Sequence, residues 1–260
     1  MSNFNFSFNL TDRHIAITDG IFAIAMTILV LEIAVPTISD LSSGVALNEY
    51  FISYLIPSIL IYFISFYIVF NFWENTIILF NFKKISHFLL TLNMTTLAAV
   101  CLIPFATGFL FKFYNYLNVN IFFSLLILFI SLLYLLMFIL LVRSNFEGYF
   151  DKRKELKSII RNEINNYDDD GIELSNLKLY FRGITLTLLY LLLTPVISSL
   201  ISLVLAFVSP FLSLLSFLLI LVLRFAIRMR RSAKDSMTNL DFTDDEKEFI
   251  ENIRKSIYGG

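Results

Sequence analysis

Six long apolar segments, separated by polar stretches, dominate the pattern of this 260-residue chain. A helix needs about 20 mainly apolar residues to cross the hydrocarbon core of a bilayer, and several of the segments reach that length. The pattern therefore predicts an all-α membrane protein with six transmembrane helices. The segments run over Ile17–Val35, Tyr50–Phe72, Ile85–Phe111, Val119–Val142, Ile184–Val208 and Phe211–Ile227.

Prolines lie between and within these segments. Ser209-Pro210 separates the fifth segment from the sixth, and proline cannot continue a helix, so a tight hairpin is expected there. Pro57, Pro104 and Pro195 lie within segments and predict kinks, which membrane helices tolerate when neighbouring groups satisfy the freed carbonyls.

Composition and charge support a multi-pass protein of the cell membrane. Hydrophobic residues make up 57% of the chain and charged residues 16%, below the roughly 25% of soluble domains. With the N-terminus inside, 19 of the 20 Lys and Arg fall in cytoplasmic segments, Lys112 being the exception. This asymmetry predicts an N-in, C-in topology. The formal net charge of −1 argues against nucleic acid as a partner.

The same pattern divides the chain into three parts. Residues 1–14 form a cytoplasmic N-terminal segment, 15–228 a transmembrane domain with a cytoplasmic loop at 143–181, and 229–260 a cytoplasmic tail. The N-terminus lacks the basic region of a cleaved signal peptide, so the first helix is expected to be retained. Residues 145–176 and the stretch after Thr243–Glu246 each predict a short amphipathic helix.

Signatures of enzymes, metal sites and cofactors are absent from the sequence. It has no Gly-rich phosphate loop and no His-Glu-x-x-His motif, and its two histidines, His14 and His87, lack companion ligands. Cys101 is the single cysteine, so no intramolecular disulfide forms, and its simplest interpretation is a small packing residue. We expect a protein that is not an enzyme and that holds neither a metal nor a cofactor.

Polar residues gather where the first apolar segment begins. Arg13, Thr18, Asp19 and Gly20 precede the apolar run directly. Ionisable groups so close to hydrocarbon need partners and indicate a functional site. The structural alternative is that Thr18 or Asp19 caps the helix while Arg13 anchors it at the membrane interface.

One stripe of the first helix is a second candidate feature. At 3.6 residues per turn, Ile24, Thr27, Ile28 and Leu31 lie on one face, with Gly20 and Val35 extending it. Taken alone, the stripe is typical of a buried core helix, in which the Thr27 hydroxyl bonds a carbonyl one turn back.

These residues resemble the prokaryotic branch of the transmembrane protein 175 potassium-channel family. That family opens its first helix with Arg-x-x-x-Phe-Ser-Asp-Gly, followed by Val-Phe-Ala-Ile-Ala-like residues and a Leu-Glu-Ile end. This chain has Arg13, Ile17–Gly20, Phe22–Ala25 and Leu31–Ile33 at the matching positions. Further similarity lies in Trp73, Leu92–Asn93 and Leu102–Phe105.

The resemblance implies a homotetrameric, potassium-selective channel of the leak type in the lipid bilayer, with residues 15–228 as the channel domain. Four copies of the first helix would line the pore, without the Thr-Val-Gly-Tyr-Gly carbonyl filter that this chain also lacks. The implied constriction and selectivity residues are Ile24, Thr27, Ile28 and Leu31. Those implied to support the pore helix are Arg13, Thr18, Asp19, Gly20, Trp73 and Asn93. Glu32 would add charge at the outer mouth, although it lies about 80° off the stripe.

One motif departs from the family pattern. The family carries Trp-x-x-His after the second span, whereas this chain has Trp73-Glu-Asn-Thr76. Glu74 or Asn75 is therefore a candidate partner for Arg13 in place of the family histidine.

Two other functions remain open from the residues alone. A secondary transporter or proton-coupled carrier needs polar groups at depth, and Ser198, Ser199 and Ser202 are the best cluster for one. Such serines more often mediate helix packing. A non-conducting membrane scaffold is the third possibility.

Overall fold

The structure, a computed structural model, describes residues 10–33, 51–80, 87–164 and 174–241. Within these ranges the chain is helical, with no β-strand. In chain order the elements are α1 (Leu10–Leu31), a π-helical turn (Phe51–Leu55), α2 (Ile56–Phe80), α3 (His87–Val100), α4 (Leu102–Phe113), α5 (Leu117–Ile164), α6 (Leu174–Ala206), α7 (Pro210–Leu215) and α8 (Leu218–Asp241).

Six helical segments of the described chain are long and apolar enough to cross a membrane, which confirms the predicted class of fold. They are Arg13–Leu31, Ile56–Phe80, Phe88–Phe113, Leu117–Leu141, Leu186–Ala206 and Pro210–Arg230. The third span joins α3 to α4, and the sixth joins α7 to α8. The N-in orientation and the division at residues 1–14, 143–181 and 229–260 stay predictions.

Several helices are longer than the apolar pattern indicates. α1 begins at Leu10 rather than at Ile17, so the polar residues before the apolar run are already helical. α5 is one helix of 48 residues, and the helix predicted within 145–176 is its direct continuation as far as Ile164. The helix predicted after Thr243–Glu246 lies outside the described residues.

The prolines lie near helix breaks or are compensated. Cys101 forms a turn between α3 and α4, three residues before Pro104. Pro195 lies inside α6, where it cannot donate to the Leu191 carbonyl; the Thr194 hydroxyl donates to that carbonyl at 2.8 Å. Pro57 lies at the junction where the π-helical turn Phe51–Leu55 passes into α2.

The expected hairpin between the last two spans is confirmed. α6 ends at Ala206 and α7 begins at Pro210. Ser209 between them has an extended backbone, with φ −157° and ψ 122°. Proline is well suited to the first position of a helix, because its fixed φ is already helical.

The core lies where α1, α2 and the third span pack together and against α5. Phe72 of α2 stacks on Tyr134 of α5 with ring centres 5.4 Å apart and planes 6° apart. The Tyr134 hydroxyl lies 2.6 Å from the Thr76 hydroxyl, so the buried tyrosine keeps a hydrogen-bond partner. α2 is thereby fixed on one side, and α1 packs against another of its faces.

Candidate functional site

α1 has two different faces. Its buried residues are His14, Thr18, Phe22, Ala25 and Leu29, at helical spacings of three and four. This face packs against α2, α3 and α4 of the same chain. The face is polar where the helix begins and apolar further along, so α1 is held by hydrogen bonds at one end and by packing at the other.

The predicted pore stripe lies on the other face and is exposed. Ile24 is 59% exposed and Leu31 79%, whereas Leu29 between them is fully buried. Thr27 and Ile28 are exposed as well, and the Thr27 hydroxyl donates to the Ile24 carbonyl at 2.9 Å, as expected for a helical threonine. The interpretation of the stripe as part of the chain's own core is therefore wrong.

Thr18, Asn93 and His14 form a buried polar cluster between α1 and α3. Asn93 Nδ2 donates to Thr18 Oγ1 at 3.2 Å and lies 3.0 Å from His14 Nε2. Thr18 Oγ1 in turn donates to the His14 carbonyl at 2.8 Å. Asn93 is fully buried, and its Oδ1 has no partner among the described residues. The cluster fixes the start of α1 against the third span, and the part of His14 in it was missed by the sequence analysis.

Asp19 is held by Trp73. The indole Nε1 of Trp73 donates to Asp19 Oδ1 at 2.9 Å, which connects α1 to the later part of α2. Because α1 begins at Leu10, Thr18 and Asp19 lie well inside the helix. The interpretation of either residue as a helix cap is therefore wrong; both make contacts to neighbouring helices.

Arg13 and Gly20 complete the predicted supporting motif. Both are exposed, Arg13 near the start of α1 and Gly20 two turns further on. Apart from its chain neighbours and the adjacent backbone of α1, a Cβ placed on Gly20 would meet no described atom within 4 Å, so packing within one chain does not require glycine here.

A buried arginine forms a second polar cluster, which the sequence analysis missed. Arg224 of α8 is 2% exposed, and its guanidinium donates to the Glu74 carboxylate and to Asn75 Oδ1. With the Asn71 amide turned so that its oxygen faces the guanidinium, Asn71 accepts from Arg224 Nε at 2.6 Å. Arg228 Nη2 donates to the other Glu74 oxygen at 2.6 Å.

This cluster changes the interpretation of Glu74 and Asn75. Both were predicted as candidate partners of Arg13, but the structure places them against Arg224. The signal that points to Arg224 is its position inside the predicted sixth span, since an ionisable residue within a membrane span needs a partner. Thr76, at the position of the family histidine, bonds Tyr134 and the Phe72 carbonyl instead.

Glu32 lies against α4. Its carboxylate covers Gly108, where an added Cβ would lie 2.5 Å from Glu32 Oε2. Glycine at this position makes room for the acidic side chain near the far end of α1. Glu32 is half-buried there, on the side of the helix that also carries Ile28.

An open groove runs along α1 beside the third span. It has a volume of about 290 Å³, and one wall carries the stripe residues Ile24 and Ile28. Cys101, which was predicted to be a packing residue, is exposed in this groove. The remaining lining residues are Ile21, Ala25, Glu32, Pro104 and Phe105.

The serine cluster of the last three spans is hydrogen-bonded within the chain. Ser202 lies 2.7 Å from the Ser124 hydroxyl and 2.8 Å from that of Ser213, and Ser198 donates to the Ser216 carbonyl at 2.9 Å. Ser199 donates to the Val196 carbonyl at 2.9 Å. These hydroxyls satisfy one another and the carbonyls around the break between α7 and α8, which is a packing role. Among the described residues, no group of three His, Cys, Asp or Glu side chains could hold a metal ion.

Within the described residues, six apolar helical segments of membrane-spanning length, the first of them held by polar contacts to Asn93 and Trp73, define a multi-pass membrane protein. Residues 13–104 match the family model described as "Endosomal/lysosomal potassium channel TMEM175". The fold is similar to a solved structure titled "Crystal structure of a lysosomal potassium-selective channel TMEM175 homolog from Chamaesiphon Minutus". The TM-score is 0.56 and the identity 24%, and the match covers 85% of this chain and 97% of that one. No curated protein sequence matches the chain.

These matches confirm the family resemblance that the sequence suggested. The matched residues 13–104 contain the whole of the predicted stripe and its supporting motif, from Arg13 to Asn93. The structural match extends the similarity of fold to the later spans.

Proposed function

We propose that this protein is a potassium-selective leak channel, a homotetramer whose pore is lined by α1 of each subunit. The observation that carries the proposal is the division of α1 into an anchored face and an exposed stripe. The match of residues 13–104 to a potassium-channel family supports the same function.

The exposed face of α1 is better suited to a helix assembly than to lipid. Small residues, Ala16, Gly20 and Ala23, are exposed on it along with Thr27. Exposed surfaces of the other described helices carry large side chains such as Phe63, and on α1 the large exposed side chains are those of the stripe together with Ile17 and Val30. Small residues allow helices to approach closely in a membrane. The first span also has the lowest buried share of the six, 28%, so a second copy has surface left to cover.

The stripe supplies the groups that a narrow potassium pore needs. Rings of Ile24, Ile28 and Leu31 form an apolar neck, which holds water poorly and gates by dewetting. The Thr27 hydroxyls form a polar layer between these rings and replace part of the ion's hydration. Selectivity then depends on the width of the neck and on this hydroxyl layer.

The supporting motif holds the helix rather than coordinating ions. Thr18 is bonded to Asn93, and Asp19 to Trp73, so their polar atoms are directed at other helices of the same chain. Glu32 adds negative charge at the outer end of α1, where four copies would concentrate cations. Its position over Gly108 keeps it beside the stripe.

The experiment that tests the proposal is ion flux from liposomes that contain the purified protein. Potassium efflux should exceed sodium efflux, and crosslinking in the membrane should give a tetramer. A carrier would move ions at a rate that saturates and would show no unitary current steps. The proposal is contradicted if neither ion leaves the liposomes, or if crosslinking yields only the monomer.

A further inference from the structure

We propose that Arg224 is a positioning residue for the pore helix and acts through Glu74 and Trp73 of α2. Arg224 holds Glu74, and the neighbouring residue on α2, Trp73, holds Asp19 of α1. The inference rests on the proposed function, because it gives the sixth span a part in placing the helix that conducts.

The geometry of the cluster fixes the rotation of α2. Asn71, Glu74 and Asn75 lie at helical spacings of three and four, so they share one face of α2. The single guanidinium of Arg224 donates hydrogen bonds to all three side chains, provided the Asn71 amide oxygen faces it. Guanidinium donors point in fixed directions, so such a contact tolerates little rotation of α2 about its axis.

Trp73 transmits that constraint to α1. Successive residues on a helix point about 100° apart, so Trp73 faces α1 while Glu74 faces α8. The indole also packs on Phe70, with ring centres 5.6 Å apart, which limits its freedom. A change in the contact between Arg224 and Glu74 therefore moves the donor that holds Asp19.

The buried charge of Arg224 indicates a role beyond filling space in the core. A buried arginine in a membrane span is costly, and an apolar side chain would fill the same space without needing three polar partners. Beyond Arg224 the helix α8 continues to Asp241, past the end of the sixth span at Arg230. The cluster thus connects a helix that extends beyond the sixth span to the middle of the pore helix.

Fluorescence tests the connection without using conduction, because Trp73 is the only tryptophan of the chain. We expect Arg224→Gln to shift the Trp73 emission maximum and Arg224→Lys to restore part of the wild-type spectrum. Arg230→Gln is the matched control, since this exposed arginine lies on the same helix and loses the same charge. An unchanged spectrum in Arg224→Gln, or an equal shift in Arg230→Gln, overturns the connection.

Conduction tests the consequence. We expect Arg224→Gln to lower potassium conductance per tetramer by about fivefold, in the range of coupling between sites in proteins, while Arg230→Gln conducts normally. Its effect and that of Trp73→Phe should be less than additive when combined, because both act on the same contact. Full additivity, or wild-type conductance in Arg224→Gln, overturns the proposal.

Two further arms keep the test decisive. If Arg224→Gln fails to fold, Glu74→Gln/Arg224→Met removes both charges and leaves no buried charge unpaired. This double variant should also shift Trp73 emission, and an unshifted spectrum counts against the connection. If the wild-type protein conducts nothing, the proposed function fails, while the fluorescence result still decides whether Arg224 positions α1.

Discussion

The indole of Trp73 and the carboxylate of Asp19, 54 positions apart in sequence, meet at 2.9 Å and hold the later part of α2 to the middle of α1. Trp73 lies beside Glu74, which binds Arg224 and Arg228 of α8. The first, second and sixth spans are therefore connected at the same end of the bundle. The exposed stripe of α1 begins directly beyond this connection.

The first prediction concerns the apolar neck. Ile24→Asn should raise potassium conductance by roughly tenfold, equivalent to about 1.4 kcal/mol of barrier, because a ring of amides holds water in the pore. Single-channel recording or liposome flux measures the change. Val30→Asn is the matched control, since Val30 is an exposed apolar residue of α1 about 120° away from Ile24. Equal effects at both positions contradict the assignment of the stripe.

The second prediction concerns selectivity. Thr27→Ala should lower the potassium-to-sodium permeability ratio, by about fivefold if one lost hydroxyl contact costs about 1 kcal/mol. Reversal potentials under bi-ionic conditions measure the ratio. Thr95→Ala serves as the control. Thr95 lies on an exposed face of α3, and its hydroxyl also donates to a backbone carbonyl of the preceding turn, that of Thr91. An unchanged ratio in Thr27→Ala would remove the hydroxyl layer from the mechanism.

The third prediction concerns the contact between Asp19 and Trp73. Trp73→Phe removes the N–H donor but keeps an aromatic ring, and should lower the melting temperature in detergent by roughly 2–4 °C. Asp19→Asn retains an oxygen that can accept the same hydrogen bond, so it should be milder. Thermal unfolding of the purified protein measures both. If Asp19→Asn instead lowers the melting temperature more than Trp73→Phe does, the charge of Asp19 matters more than its hydrogen bond to Trp73.

The fourth prediction concerns Glu32. Glu32→Gln should reduce potassium conductance at low ionic strength, and the difference should shrink in molar salt, where charges are screened within about 3 Å. Gly108→Ala places a Cβ against the Glu32 carboxylate and must displace it. Its effect on conductance should disappear in a Glu32→Gln background. A loss that is the same at every salt concentration contradicts an electrostatic role.

The apolar pattern predicted the fold well because the bilayer imposes a length on each span. The six segments, the hairpin at Pro210 and the exposed threonine bond of Thr27 follow from local rules of helix length, proline and hydroxyl chemistry. The end of α2 did not follow. The second predicted segment stops at Phe72, whereas the helix runs to Phe80 and carries Glu74, whose charge is paired with Arg224.

The candidate site was predicted in part. Periodicity placed Ile24 and Leu31 on one face, but whether that face lies inside or outside the chain depends on which helices pack against α1. Periodicity also cannot pair residues that are distant in sequence, and Arg224 lies 150 positions from Glu74. The resemblance supplied Trp73 and Asn93, and only the packed structure brought His14 to Asn93.

The most direct test of the central claim is chemical modification of a cysteine placed on the stripe. In a Cys101→Ser background, which removes the single native thiol, Ile28→Cys is exposed to a charged thiol reagent during potassium flux. A pore lined by α1 predicts that modification blocks flux through Ile28→Cys and spares Val30→Cys. Full modification of Ile28→Cys, measured by mass, with flux unchanged would contradict the claim that α1 lines the pore.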